Sequence, residues 1–285
     1  MLPRGDVVTG KILLVGGTGF LGSFVAARLV DRAPIVLARP TSDLSVLPSA
    51  LEVRTGDLAG PLPLEGISTL IYCASMGLGH VPALVHQLEA SGIKRAVFLS
   101  TTAVFTRLPS RSHAVRLDAE AAVEQSSLDW TLLRPTMIYG TARDRNISRL
   151  LRFIRRWPVV PVCGNAMWQP IYVDDLAAAV LSALDTPGAS GKAYNLAGAA
   201  PLAFKELVRT AARAVGRRVV LLPVPVAAAV AAASLTNVVS VEQVRRLVED
   251  KAFDFADAAH DFGFAPRSFD AGVRLEAAAL KLARS

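Results

Sequence analysis

The run Lys11-Ile12-Leu13-Leu14-Val15-Gly16-Gly17-Thr18-Gly19-Phe20-Leu21-Gly22 constrains this chain more than any other stretch. An apolar segment of strand length runs into glycines spaced three apart, and Leu21, Val25 and Leu29 then recur four apart, as on one face of a helix. In that strand–turn–helix setting each glycine has its own task. Gly16 permits the tight turn, Gly19 lets the backbone approach a bound anion, and Gly22 lets the helix lie close on the strand. Free amides at the helix start and the positive end of its dipole attract phosphate. The stretch therefore predicts a dinucleotide-binding turn rather than a plain strand–helix connection.

The same alternation continues down the chain. Residues 35–38, 51–53, 70–73, 95–100 and 130–135 read as further strands, with helices over 81–91 and 112–126 and a helix cap at Thr41-Ser42-Asp43-Leu44. Apolar strands alternating with helices imply an α/β fold: a Rossmann-type, doubly wound parallel sheet buried on both faces. Past residue 140 the elements shorten, which predicts a smaller C-terminal substrate lobe. The expected division is a dinucleotide-binding domain over 1–140, with returning segments near 170–196, and a lobe made mostly of 141–285.

Hydrophobic residues make up 52% of the 285 and charged residues 19%, the balance of a globular chain with a large core. No apolar leader with a cleavage site opens the sequence, so a cytoplasmic protein is expected. Cys73 and Cys163 make neither a disulfide framework nor a metal pattern, and no metal is expected. The net charge is +7, and Arg143, Arg145, Arg149, Arg152, Arg155 and Arg156 crowd into fourteen residues. Without interleaved aromatics or a nucleic-acid motif, this cluster reads as a solvated face or an anionic-substrate funnel, not a nucleic-acid site. Arg149, Arg152 and Arg156 share one helix face and are candidates to meet a substrate diphosphate. Residues 219–241 carry no charge and are long enough to span a bilayer. Pro223 and Pro225 break the start of that run, and Ser234, Thr236 and Asn237 mark its end, so it reads as strand, proline turn and buried helix. Peripheral contact with the inner face of a membrane stays open, as does a homodimer.

In a doubly wound sheet, ligands sit beyond the carboxyl ends of the strands. Arg39 ends the second strand, where an acidic residue would accept bonds from ribose hydroxyls; an arginine can instead clamp a ribose 2′-phosphate. NADP(H) is therefore expected over NAD(H). Asp57 follows the third strand and could bond an adenine amino group or merely cap its own turn. Ala74 and Ser75, after the fourth, are small enough for a cofactor to pass.

GGTGFLG, the Gly-Asp-Leu after strand three, VFLSTTAVF, LLRPTMIYG, PIYVDDLAAAV and KAYNLAG follow one another in an order that resembles the extended and atypical short-chain dehydrogenase/reductases. This is the NAD(P)-dependent epimerase/dehydratase superfamily. The tail from Glu242 to Phe269 is similar to the atypical branch, which includes the cofactor-binding accessory subunit of respiratory complex I. The resemblance implies that Gly16, Thr18, Gly19, Phe20, Leu21 and Gly22 surround a pyrophosphate and that Asp57 and Leu58 meet adenine. It implies too that Ala74 and Ser75 line the cofactor's middle, and that Ser100, Pro135 and Thr136 approach the nicotinamide. Asp174 and Asp175 match a family motif but, at a helix start, read as first-turn and capping residues.

The family's chemistry uses a tyrosine acid/base, a lysine four residues on that lowers its pKa, and a Ser or Thr that orients substrate. Thr101 or Thr102 supplies the hydroxyl. Counting back from Glu120, which matches a family glutamate, places Ser112 at the tyrosine position and Arg116 at the lysine position. None of Tyr72, Tyr139, Tyr172 and Tyr194 has a lysine four residues on, so the dyad is missing. A positioned acid/base contributes roughly 10²–10⁴ in rate, and an arginine does not give up its proton to replace it. Arg116 could hold the nicotinamide ribose, and His113 is the nearest side chain able to shuttle a proton near neutral pH. Two functions follow: an oxidoreductase or epimerase acting on a nucleotide- or lipid-linked sugar or another small carbonyl compound, or a cofactor-binding sensor or assembly subunit without turnover.

Overall fold

The computed structural model describes residues 10–108, 110–235 and 241–283. The chain's opening, and Thr236 and Asn237 at the end of the uncharged run, lie outside them. The first half alternates: β1 (Lys11–Val15), α1 (Phe20–Arg28), β2 (Ile35–Ala38), β3 (Glu52–Thr55), β4 (Ile67–Tyr72), α2 (Val81–Ala90), β5 (Arg95–Leu99), α3 (Arg111–Glu124), β6 (Asp129–Pro135). Shorter pieces follow: β7 (Ile138–Tyr139), α4 (Ile147–Arg156), β8 (Val159–Cys163), β9 (Met167–Trp168), β10 (Ile171–Tyr172), α5 (Val173–Asp185), β11 (Lys192–Leu196). The chain ends in β12 (Leu202–Ala203), α6 (Phe204–Ala214), β13 (Val220–Val224), α7 (Val226–Leu235), α8 (Val241–Leu247), α9 (Ala256–Phe262) and α10 (Phe269–Ala279).

Seven strands pair in parallel in the order β11-β6-β5-β4-β1-β2-β3. This is the doubly wound sheet that the alternating pattern predicts. Its central strands are buried on both faces because each face carries helices. Leu14, Val36, Ile71, Val97 and Leu133 pack on α1 and α5, whereas Leu13, Leu70, Tyr72 and Phe98 pack on α2 and α3. A third core joins α4, α6 and α10 around Tyr139, Leu151, Val208 and Val273.

Two details differ from the sequence reading. Thr41–Leu44 does not open an α-helix: Asp43 accepts from the Ser45 amide at 3.0 Å and caps one 3₁₀ turn, Leu44–Val46. The uncharged run does make a strand, β13, and after Pro225 a helix, α7, but that helix is not buried; most of its described residues are exposed or half-exposed. No helix among the described residues is long and apolar enough to cross a membrane.

Candidate functional site

The sheet reverses its winding between β1 and β4, and the crevice at such a reversal is where doubly wound sheets receive ligands. Gly16 leaves β1 with φ +78°, a left-handed conformation that favours glycine, and a Cβ there would stand 2.7 Å from the Ala74 nitrogen. A Cβ on Gly22 would overlap the Gly16 carbonyl oxygen, so the helix start and the turn close on each other only without side chains. The cap residue of α1 is Gly19, with no side-chain bond and no acidic residue in the first turn. The amides of Phe20, Leu21 and Gly22 have no acceptor among the described residues. Unsatisfied donors at the positive end of a helix fit a diphosphate.

Arg143, in the loop after β7, donates to the Thr18 carbonyl at 2.7 Å and to Ser23 Oγ at 3.1 Å. It adds a cation beside the turn. The sequence gives Arg143 no role at the turn, since no spacing ties it to a residue 125 positions away.

At the other strand ends, Arg39 is exposed; its backbone N–H donates to Ser42 Oγ, and its guanidinium has no partner among the described residues. Asp57 is also exposed, and its Oδ1 accepts from the Ala59 amide at 2.9 Å, closing its own turn. Leu58 packs on the β4 side of the core. Ala74 is half-buried, and Ser75 opens a short 3₁₀ turn, Met76–Leu78. The Ser100 hydroxyl is buried with no hydrogen-bond partner. Thr136 donates to the Gln169 carbonyl at 2.5 Å beside the buried Pro135.

A cavity of about 320 Å³ opens beyond β5 and β6 and is lined by Thr101, Thr102, His113, Arg116 and Thr136. The two threonines differ. Thr102 is buried and donates to the Pro135 carbonyl at 3.3 Å, whereas Thr101 Oγ1 accepts from the Ala103 amide and keeps its own proton free. His113 Nε2 lies 2.9 Å from the Val104 carbonyl. A carbonyl only accepts, so Nε2 carries the proton and Nδ1 has no partner among the described residues. Arg116, one turn along α3, donates to Ser112 Oγ at 3.4 Å, so the two residues that the sequence count assigns to the dyad positions touch each other. Its guanidinium lies against the turn after β4, where a Cβ on Gly77 would stand 3.4 Å from Nε. Burial, with Arg246 nearby, pulls the Arg116 pKa below its ordinary value. The register of α3 is fixed farther along by buried Glu120, which accepts from Arg134 on β6 at 2.6 Å.

The far wall comes from the end of α8 and the strand-like segment after it. Glu249 accepts from Thr106 Oγ1 at 2.8 Å and from the Arg107 amide at 2.9 Å. Asp250 accepts from the Met167 amide, and Lys251 sits 4.0 Å over the Trp168 ring. With the wall so anchored, Phe105 and Phe253 face each other at 5.6 Å, and Met137 and Leu247 complete an apolar lining. Sequence reasoning missed this wall. Arg149 and Arg152 are exposed on α4 and do not line the cavity. Asp174 and Asp175 stand in the first turn of α5 and pair with Arg28 and Arg267 without capping the helix. Cys73 and Cys163 are free, and no cluster able to hold a metal occurs among the described residues.

A family model described as NAD(P)H-binding matches residues 16–152, and one described as the NAD dependent epimerase/dehydratase family matches 109–197. Over 259 residues the chain is 29% identical to the NADH dehydrogenase [ubiquinone] 1 alpha subcomplex subunit 9, mitochondrial, of Arabidopsis thaliana. That match takes in 79% of this chain and spans 63% of the plant protein's length. A 2-alkyl-3-oxoalkanoate reductase of Stenotrophomonas maltophilia is 29% identical over 252 residues, 72% of this chain and 76% of that one. Among solved structures, UDP-glucuronic acid 4-epimerase from Bacillus cereus in complex with NAD superposes with a TM-score of 0.76 at 16% identity, covering 95% of this chain and 98% of that one. The glycine turn and the sheet define a Rossmann-type fold, and the matches make the chain similar to NAD(P)-binding proteins of the short-chain dehydrogenase/reductase type. Within that likeness, part of the chain matches the epimerase/dehydratase family model, and the chain is similar to the branch containing the complex I accessory subunit.

Proposed function

We propose that this chain is an NADP(H)-dependent reductase or epimerase whose substrate presents a carbonyl or hydroxyl group on an apolar or lipid-linked molecule. The observation that carries this reading is the convergence of Thr101, His113 and Arg116 on a cavity walled by Phe105, Met137, Leu247 and Phe253. The aromatic and aliphatic part of the wall suits an acyl chain or the lipid of a lipid-linked sugar, the polar and charged residues beside it suit a head group, and one relative is by name an oxoalkanoate reductase. The cofactor would be held by Gly16, Thr18, Gly19, Phe20, Leu21 and Gly22 at its diphosphate, with Arg143 beside them. Arg39 would meet a ribose 2′-phosphate; Leu58 and Asp57 would border adenine; Ala74, Ser75, Ser100 and Pro135 would line the remainder. A bound nicotinamide supplies or accepts the hydride. Thr101 offers a free hydroxyl proton to the substrate oxygen, and Arg116 supplies positive charge where an oxyanion develops. His113, fixed through Nε2, can carry a proton on Nδ1.

A second reading, a cofactor-binding protein without turnover, is favoured by one specific feature: Ser112 and Arg116 occupy the dyad positions. Thermal shift against NADPH and NADH, followed by absorbance assays with 3-oxoacyl compounds, long-chain ketones and sugar nucleotides, separates the two. Oxidation of NADPH by an apolar ketone supports the enzyme. Strong stabilisation by NADPH with no turnover on any class assigns the chain to the second reading.

A further inference from the structure

The pair β8 and β13 is a two-stranded parallel ribbon, in register at Val220 with Val159 and at Leu222 with Pro161. Side chains alternate across such a ribbon, and an edge ribbon is ordinarily apolar inward and polar outward. Here the inward row, Val160 and Leu221, packs on the lobe's core, yet the outward row is apolar as well. Val220 is 65% exposed, Leu222 53% and Val159 43%. Trp157, two residues before Val159, is 53% exposed, and α7 continues the apolar surface beyond Pro225. A contiguous apolar face of this kind marks an interaction site.

The charges around it say what kind. Residues 145–173 and 207–241 contain nine arginines and no aspartate, glutamate or lysine. Arg149, Arg152, Arg155, Arg156, Arg217 and Arg218 form no ion pair among the described residues. Arg156 stacks on the Trp157 ring at 5.0 Å, and Arg217 donates to the Arg155 carbonyl at 3.1 Å, which ties the basic end of α4 to the ribbon. A second copy docking by two-fold symmetry would set this arginine-rimmed face against the same face, positive rim against positive rim, so self-association is disfavoured. An apolar face containing an exposed tryptophan, rimmed by unpaired arginines, suits the headgroup layer of an anionic bilayer, which takes up apolar surface and attracts basic residues together.

We propose that the ribbon of β8 and β13, with α7 and the basic end of α4, is a docking surface for an anionic membrane. The proposal does not depend on the chemistry of the cavity, so its failure would leave the proposed function standing. It is tested by co-sedimentation of the full chain with vesicles of phosphatidylcholine alone and of equal parts phosphatidylcholine and phosphatidylglycerol. Binding is expected only to the anionic vesicles and is expected to weaken with salt. A Val220→Ser/Leu222→Ser variant and an Arg155→Gln/Arg156→Gln variant should each lose roughly tenfold in partitioning, with melting temperature and NADPH affinity unchanged. No sedimentation with anionic vesicles, or binding unaltered in both variants, would overturn it. So would a dimer in sedimentation velocity that the serine variant dissolves. Binding lost only in the arginine variant and competed by duplex DNA would assign the patch to a polyanion and overturn the bilayer too.

Discussion

Arg143 donates to the carbonyl oxygen of Thr18 at 2.7 Å, joining the loop after β7 to the glycine turn that opens α1. The same guanidinium reaches Ser23 Oγ on the first turn of that helix. One side chain therefore fixes the turn's shape and leaves positive charge beside the amides of Phe20, Leu21 and Gly22.

Arg143→Ala is accordingly expected to weaken NADH and NADPH alike. Loss of a charge-assisted contact removes ~1.5–3 kcal/mol, or about one to two decades of affinity. Calorimetric titration with both cofactors checks this; a change in one cofactor only would place Arg143 at the ribose end instead.

Arg39 gives the complementary result. Its guanidinium is exposed and unpaired at the end of β2, so a 2′-phosphate would be its first partner. Arg39→Ala is expected to cost NADPH about ten- to a hundredfold and to leave NADH within about a factor of two. Equal losses for both would remove the 2′-phosphate assignment.

Thr101 and Thr102 are adjacent in sequence and unequal in structure. The Thr102 hydroxyl is buried and spent on the Pro135 carbonyl, so Thr102→Val is expected to lower the melting temperature, by about 1 kcal/mol of stability. The Thr101 hydroxyl keeps a free proton facing the cavity, so Thr101→Val should cut kcat by roughly 10²-fold or more with cofactor affinity intact. Equal behaviour of the two variants in turnover and in melting would show that the distinction drawn from their hydrogen bonds has no consequence.

The extent to which this molecule is legible in its sequence follows from the range of the interactions involved. β2 and β5 and the helix on which His113 and Arg116 stand are written in local periodicity, and their limits fall within a residue or two of the pattern. The glycine turn is local only in part: Gly22 closes on Gly16 within seven residues, whereas the space at Gly16 is limited by Ala74 at the end of β4. The cavity wall is not. Glu249 meets Thr106 across 143 residues, and Asp250 meets Met167 across 83. Neither contact leaves a spacing to read. The uncharged run misled for a different reason: alanine and valine mark apolar surface without saying what covers it, and in α7 no part of the described chain does so fully.

Glu276, on α10, is fully buried, no donor reaches its carboxyl oxygens, and only when protonated can it bond the Asp144 carboxylate beside it; the hydroxyl of Tyr139 nearby is buried and unpartnered. Burial, with the Asp144 carboxylate alongside, pushes Glu276 up to about 10, and Arg152 offsets only part of this. Asp144 is itself committed to capping α4 through the amides of Asn146, Ile147 and Ser148. A carboxyl whose folded pKa lies above its unfolded value holds its proton more tightly in the folded chain. Its contribution to stability is therefore fully present below the ordinary carboxylate range, near pH 4, and is lost as pH rises toward the folded value. Glu276→Gln removes that dependence while keeping the shape. The variant is expected to gain on the wild type as pH rises from 5 to 7.5, by about 3 kcal/mol, in denaturant melts at each pH. Parallel stability curves for the two proteins across that range would show that Glu276 is already ionised in the folded state.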